Sequence, residues 1–550
     1  MGSRPERWLF LLELKEIYVD ICNQKGWKLR SLLVRALEVI EEFFSREEPF
    51  ILMLSLPTGY GKTTLTETLF KYAIKNGYFF SKVIHVLPMR SIVDDLARKL
   101  KAEFGEDQVA AQHMGLHESP FLAKPCVVTT LDTFILNFVK IPTVELRKAI
   151  ARGISHHDFA RGMIYSSLVV FDEFHLFSGL GSLREEMKSL EAAVASIVCL
   201  STAGVPVVVA TATLPTPMKN YLMEKAEEVV EVEEIRFGER LEDESFSRER
   251  KAKTISLRIE DKCLEEVLQA PNNTDKRILI ILNTVSEAVN IYRKIKNHNV
   301  VLLHGKLPER RRKEVIKRIL KDNPRIIVAT QVVEAGVDIS YDILITAPCP
   351  VDRLIQRAGR VARHKGDNEG EVIIVLKASK GPYDAEIVDM TVQKVKLLDN
   401  QSLNKLEFDK KMEEFLNQIY SKVYLEPTNE IYEVIMKLDE YVFLAAKDAI
   451  KAIEAFCGFT DSFGIVSAFP ESKPLIEYAI GLSEREAKNA LWKYRKVLTR
   501  GEIQILDEKN VRKLLRGGCL SLKLLRGGFE GIVIPDFDEE LGFVGFNHGD

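Results

Sequence analysis

A chain of 550 residues is too long for a single hydrophobic core and implies about three domains. Hydrophobic residues make up 46% and charged residues 29%, an ordinary globular balance, and no apolar run is long enough for a transmembrane helix. The formal net charge of −3 excludes an overall basic field, so nucleic-acid binding has to use a local groove.

The chain opens Met1-Gly2-Ser3-Arg4-Pro5-Glu6-Arg7 before a short apolar stretch that Glu13, Lys15 and Glu16 interrupt. No small-residue cleavage site follows, so no secretory signal is expected, and the protein is expected in the cytoplasm without a membrane partner. Short runs rich in Val, Ile and Leu then alternate with helical segments, at 50–56, 82–87, 168–171, 205–210, 277–282, 300–303, 325–329, 343–347 and 372–376. Continuous apolar strands alternating with helices predict an α/β protein with parallel sheets covered on both faces. The charged stretch 236–253 has little apolar periodicity and reads as the link between two such sheets. The expected division is residues 1–240, a first sheet domain with N-terminal helices; 254–395, a second; and 396–550, mainly helical linker and a small accessory domain. Near the end Lys-Leu-Leu-Arg-Gly-Gly occurs at 513–518 and again at 523–528, which reads as two strand–turn units. Cysteines 22, 126, 199, 263, 349, 457 and 519 are dispersed with no CxxC pair, which predicts reduced thiols and neither a disulfide frame nor a zinc site.

The sharpest chemical signal follows the strand 50–56: Pro57-Thr58-Gly59-Tyr60-Gly61-Lys62-Thr63-Thr64, then a helical run from Leu65. The full phosphate-loop pattern wants glycine where Leu56 stands. Gly59 and Gly61 still let backbone N–H groups face phosphates without an intervening Cβ, and the following helix points its positive end at the same place. Lys62 is expected to reach the β- and γ-phosphates and the Thr63 hydroxyl to hold Mg²⁺, so Thr58 to Thr64 form the cofactor-binding loop for a nucleotide. Asp172-Glu173-Phe174-His175 ends the strand 168–171. Adjacent carboxylates at a parallel-strand C-terminus lie where open α/β sheets bind ligands; Asp172 suits the Mg²⁺ role and Glu173 the polarisation of the attacking water. In the second half, 356–363 places Arg357, Arg360 and Arg363 at i, i+3 spacing, on one face if helical. Arg360 and Arg363 are expected to stabilise charge on the transferring phosphoryl group, with Gln356 ordering the water, once the two domains close.

Taken together, these motifs resemble superfamily-two helicases of the DExH kind. Leu87-Pro88-Met89-Arg90, Thr129-Thr130-Leu131-Asp132 and Thr211-Ala212-Thr213-Leu214-Pro215 are similar to the first-domain motifs. Asn283-Thr284-Val285, Leu303-His304-Gly305 and the run from Ala329 through Gly336 to Asp338 are similar to the helicase of type I CRISPR interference systems. The resemblance implies two tandem RecA-like domains and ATP as the nucleotide, and it places Gly336 and Asp338 at that nucleotide. It implies a strand held by Pro88, Arg90, Thr130, Asn283, Thr284, His304, Thr330 and Gln331. It further implies a 3′→5′ translocase that loads on the single-stranded DNA of an R-loop made by a guide-RNA effector complex. The phosphate loop begins too early for a preceding HD domain, so a separate HD nuclease is expected. His156-His157-Asp158 reads as a loop or core element, not a metal pair. The competing expectations are another DExH motor acting on RNA or in DNA repair, and a nucleotide-gated assembly subunit. The retention of Lys62, Asp172, Glu173, Arg360 and Arg363 argues against the last.

Overall fold

The computed structural model describes residues 13–545, apart from 47, 78, 153–156, 179–186, 228, 239–242, 270–274, 296–298, 335–337, 365, 423–426, 441–445 and 461–463. Gly336 and His156 therefore lie outside the described residues. His157 begins the helix His157–Tyr165, whose Asp158 pairs with Lys140 at 3.0 Å.

Three sheets organise the chain. The first contains β1 (Phe50–Ser55), β2 (Val83–Leu87), β3 (Val109–His113), β4 (Leu116–His117), β5 (Cys126–Thr130), β6 (Leu168–Phe171), β7 (Val207–Thr211) and β8 (Glu231–Arg236). Their order is β4-β3-β5-β2-β6-β7-β1-β8, parallel throughout except for the short β4. Successive side chains of β1 feed opposite cores. Ile51 and Met53 pack in the cluster with Phe171, Val207 and Ile197, while Leu52 and Leu54 join Leu65, Leu69 and Phe70. That two-sided burial is why the strand reads as an unbroken apolar run.

The second sheet contains β9 (Thr254–Glu260), β10 (Ile278–Ile281), β11 (Val300–Leu303), β12 (Ile326–Ala329), β13 (Ile343–Thr346), β14 (Glu369–Val375) and β15 (Gln401–Asn404). Its order is β11-β12-β10-β13-β14-β9-β15, with only β15 antiparallel. Here too the strand divides its residues, Ile278 and Ile280 to one core and Leu279 and Ile281 to the other. Both sheets present strand C-termini to the seam that holds the motifs, the position from which open parallel sheets bind ligands.

The C-terminal region combines helices Lys405–Tyr420, Glu430–Glu440 and Ala446–Phe456 with a third sheet of β16 (Val466–Pro470), β17 (Ile480–Leu482), β18 (Lys496–Thr499), β19 (Glu502–Ile505) and β20 (Gly531–Ile534). The middle helix packs Ile431, Ile435 and Leu438 into the core and is also held at its start by a buried carboxylate of the first domain. Glu191 accepts the backbone N–H groups of Asn429, Ile431 and Tyr432, neutralising the helix start with a charge.

Several sequence expectations change. The expected runs all contain strands, but in the first two sheets β3, β4, β5, β8, β9 and β15 were not anticipated; β8 (Glu-Val-Glu-Glu-Ile-Arg) is an edge strand with only Ile235 buried. The charged link carries the helix Glu244–Lys251, capped by Asp243. The Lys-Leu-Leu-Arg-Gly-Gly repeats are helix ends, not strand–turn units. They close Glu508–Leu515 and Leu520–Arg526, where Val511, Leu520 and Leu524 are buried and Gly517, Gly518 and Gly528 take positive φ. Cys457 and Cys519 form a disulfide across 62 residues, against the expectation of reduced thiols; cysteines 22, 126, 199, 263 and 349 are free. The bond joins the end of the helix Ala446–Phe456 to the start of the helix Leu520–Arg526, two elements that only the tertiary fold brings together.

Candidate nucleotide site and strand-contact residues

The phosphate loop leaves β1 and turns through Gly59 and Gly61, at φ 79° and 111°. A side chain at either position would be strained, and a Cβ at Gly61 would press on Leu33 at 3.3 Å. Gly61 immediately precedes the helix Lys62–Lys75, whose free N–H groups open onto the loop. Lys62 Nζ rests on the Leu56 carbonyl at 3.1 Å, and Thr63 is exposed at the helix start. Thr64 is buried, and Thr58 is half-buried. Tyr60 differs from its expected role. Its ring packs on Phe237 and Phe246, and its hydroxyl donates to Asp243 Oδ2 at 2.7 Å, so only its backbone serves the loop.

Asp172 and Glu173 follow β6, which β2 and β7 flank. Asp172 Oδ1 accepts the Glu173 N–H at 2.8 Å, and Oδ2 lies 3.3 Å from His85 Nε2. Burial opposes the Asp172 charge, but His85, Lys62 and that N–H hold its carboxyl below the ordinary value. Burial instead raises Glu173, assisted by the Asp172 charge and opposed by Lys62, Arg360 and Arg363. Glu173 sits at φ 52°, the left-handed region that costs a residue with a Cβ, and its Oε2 is buried without a hydrogen-bond partner among the described residues. A strained, proton-seeking carboxylate with an unsatisfied oxygen suits general-base work. His85 was missed from the sequence. Its Nδ1 meets Thr66 of the phosphate-loop helix at 3.1 Å, so it ties that helix to Asp172. A lone histidine inside the fully buried strand β2 was the available signal.

His175 connects the halves. The Thr211 hydroxyl donates to the Thr213 carbonyl, so His175 Nδ1 must be the donor to Thr211 Oγ1 at 2.9 Å. His175 Nε2 is then free to accept from the Gln356 amide, 3.3 Å away across the domain seam. Burial, with Arg353 and Lys62, keeps this imidazole well below its ordinary pKa and neutral.

The helix Val351–Ala358 ends before the arginines Arg360 and Arg363, so the expected single basic face does not form. Arg357 is fully buried and turned into the second domain. It donates to Glu334 Oε1 (2.7 Å), Thr346 Oγ1 (2.8 Å), Asn283 Oδ1 (2.9 Å) and Tyr383 Oη (3.3 Å). Arg360 donates to the Glu334 carbonyl at 2.6 Å, and burial beside Arg363 lowers its guanidinium to about 9. Arg363 Nε pairs with Asp338 at 3.0 Å while its Nη1 is buried without a hydrogen-bond partner among the described residues. The turn abuts the phosphate loop, since a Cβ on Gly359 would stand 3.4 Å from Thr58 Oγ1. The structure thus brings Thr58, Glu173, Gln356, Arg360 and Arg363 to one seam. The loop glycines, the helix N-terminus and the exposed Thr63 hydroxyl fit a nucleoside triphosphate, and Thr63 with the low-pKa Asp172 fits the hard divalent cation that accompanies it.

The expected strand contacts are more scattered. Arg90 is exposed at the start of the helix Arg90–Phe104, and Pro88, Thr284 and Gln331 are half-buried. Thr284 caps the next helix through the Glu287 N–H at 3.3 Å. Thr130 and Thr330 are buried. Two residues have side chains committed elsewhere. Asn283 holds Arg357 and donates to the carbonyls of Pro348 and Ser379, and His304 Nε2 meets the Leu541 carbonyl at 2.9 Å. A polar residue after a strand serves a bound strand only if the fold leaves it open, and these two the fold has filled.

The DEAD/DEAH box helicase family model matches residues 37–221, and the model described as CRISPR-associated nuclease/helicase Cas3, C-terminal, matches residues 274–366. The two matches fall one on each parallel-sheet domain, so the chain is similar to Cas3-type helicases across both. It is 26% identical over 454 residues to the CRISPR-associated nuclease/helicase Cas3 of Methanothermobacter thermautotrophicus, covering 75% of this chain and 51% of that protein. It is 25% identical to the CRISPR-associated helicase Cas3 of Thermoproteus tenax, covering 69% and 65%. The chain thus spans about half to two thirds of the length of these Cas3 relatives. The T. fusca Cas3–ADP crystal structure shares the fold over 97% of this chain and 70% of that one, at a TM-score of 0.63 and 16% identity. Its tandem sheets correspond to the α/β, RecA-like architecture described above. Among the described residues no helix is long and apolar enough to cross a membrane.

Proposed function

We propose that this chain is an ATP-dependent single-stranded DNA translocase and helicase. It would move 3′→5′ within type I CRISPR interference and unwind target DNA for a separate HD nuclease. The observation that carries the hydrolytic part is the seam itself, where Gln356 reaches His175 and the arginine-bearing turn meets the phosphate loop. Bound Mg²⁺-ATP supplies the phosphoryl group and its leaving oxygen. Lys62 and the loop N–H groups bind the phosphates, and Thr63 and Asp172 hold the cation. Glu173 takes up a proton from water while Gln356 orients it, and Arg360 and Arg363 offset charge on the phosphoryl oxygens. Asp338 acts through Arg363, and Gly336 completes the same run. Pro88, Arg90, Thr284 and Gln331, the members of the expected set that are not buried, form the track for the DNA backbone, whose phosphate contacts require no particular sequence. Residues 1–240, 254–395 and 396–550 are its working units. The R-loop and the guide-RNA effector complex are its partners in the cytoplasm; the similarity of its fold to a chain of a CRISPR RNA-guided surveillance complex, pre-nicking, supports that assignment.

The test is steady-state ATP hydrolysis with single-stranded DNA, single-stranded RNA or an R-loop, beside Lys62→Ala. Stimulation by single-stranded DNA that disappears in Lys62→Ala supports the proposal. Stimulation by RNA alone replaces it with an RNA motor, and no stimulation by any of them leaves a nucleotide-gated assembly subunit.

A further inference from the structure

The helix Lys405–Tyr420 lies between the two halves of the candidate site, and no motif includes it. Lys405, Asp409, Glu413 and Asn417 recur every fourth residue and so form one stripe along it. At the near end Lys405 is buried, and its ammonium donates to the carbonyls of Val361 and of Ala362, the latter at 3.1 Å. Lys253 supplies the same turn, donating to Ala362 (3.0 Å), Arg363 (3.2 Å) and His364 (2.7 Å). Those carbonyls belong to a turn beyond the helix end, where Ala362 takes φ 46°. Two ammonium groups therefore stand in for the missing helical hydrogen bonds around Arg360 and Arg363. At the far end Tyr420 donates to Asp352 Oδ1 at 2.6 Å, gripping the start of the helix Val351–Ala358.

Between these ends the stripe reaches the first domain. Asp409 pairs with Arg250 at 3.0 Å, and the same guanidinium donates to the Thr58 carbonyl in the phosphate loop. Glu413 accepts from Arg236 Nε at 3.2 Å, and Asn417 meets Thr216 at 3.5 Å. A cavity of about 90 Å³ lies beside these contacts, lined by Thr213, Glu234, Phe237 and Phe246 opposite Leu406 and Glu413. Along this stripe the helix meets the first domain and the link through polar pairs, which can be remade as domains shift more readily than a continuous apolar core.

We propose that this helix is a strut that sets the arginine-bearing turn against the phosphate loop, with Lys405 and Asp409 as positioning residues. It rests on the hydrolytic reading above and gives the region after residue 396 a part in it. Burial also pushes the Lys405 ammonium down to about 7, with Arg250, Lys253 and Arg363 adding to the shift and Asp409 opposing it.

The experiment uses the full chain as wild type, Lys62→Ala, Lys405→Met, Lys405→Arg and Asp409→Asn. It reads DNA-stimulated kcat with an oligothymidylate, the affinity for a fluorescent ATP analogue, and the unfolding midpoint. Lys405→Met is expected to lower kcat about tenfold or more while affinity stays within about threefold, because the misplaced group acts on the transition state. Lys405→Arg restores most of kcat, and Asp409→Asn lowers it a few-fold, about threefold, by loosening the pair with Arg250. If wild type hydrolyses ATP through Lys62 but Lys405→Met keeps kcat within about twofold, the strut is wrong and the motor stands. Parallel loss of kcat, affinity and unfolding midpoint in both Lys405→Met and Asp409→Asn also overturns it, since that marks plain packing. No Lys62-dependent hydrolysis in wild type overturns the hydrolytic reading and the strut with it.

Discussion

The two halves of the candidate site are built by different means. On the phosphate side, local backbone places the groups: glycine turns at 59 and 61, a helix starting at Lys62, and a strand that ends at Phe171 just before Asp172. On the arginine side, side chains that never reach the seam do the placing. Arg357 turns inward onto Glu334, Thr346, Asn283 and Tyr383, and Lys253 and Lys405 hold the following carbonyls. The lesson is that a phosphate cradle can be made locally, whereas an arginine finger has to be carried to its target by the rest of the molecule.

The largest expected effect separates aiming from holding. Arg360→Ala should lower kcat by about 10³-fold or more while leaving nucleotide affinity nearly unchanged, measured by steady-state hydrolysis and analogue binding. A fall of less than tenfold would remove Arg360 from the fingers. Arg357→Met should instead act on stability, costing roughly 3–5 kcal/mol in denaturant unfolding of the second domain, because Glu334 is left charged and buried. If it abolishes hydrolysis in a protein of unchanged stability, Arg357 aims as well as holds.

A smaller effect concerns how the C-terminal segment grips the second domain. Burial lowers His304 to about 4, below its ordinary value, with Lys306 adding and the Leu541 carbonyl opposing. The neutral ring therefore stabilises the fold above the ordinary histidine value, and that contribution is lost as pH falls toward 4. Hydrogen exchange at the Phe543 amide, which donates to the Lys306 carbonyl, should lose protection between pH 7 and 5 beyond the intrinsic rate change. Constant protection would show that His304 does not control the grip. The smallest effect is on the surface. Asp95→Asn removes the pairs with Arg98 and Lys99, and should change stability by less than about 1 kcal/mol because water screens exposed pairs. A larger loss would mean that local charge on the first domain matters as much as the buried network does on the second.

The apolar runs of β1, β2, β6, β7 and β10 to β14 were legible because both faces of a parallel strand are covered, leaving few polar interruptions. The edge strand β8 was not, because its exposed positions carry glutamates. In the site, Lys62, Asp172 and Glu173 were legible because their geometry follows from neighbours in sequence. Tyr60 looked like a ligand contact because it stands in the phosphate loop, and Asn283 and His304 because each follows a strand, yet tertiary packing gave their side chains internal partners. His85 stood unmarked within a buried strand, and its use depends on two elements that only folding brings together.

What the sequence determined by itself is the alternation of buried strands and helices and the local turn that can cradle a phosphate. Both depend on backbone conformation and residue spacing over a few neighbours. Tertiary structure alone decided that Gln356 meets His175, that Arg357 faces inward while Arg360 faces the seam, and that a helix at 405–420 braces the turn. Those outcomes depend on which polar group finds a partner when water is excluded, and the partners lie from ten to nearly two hundred residues away.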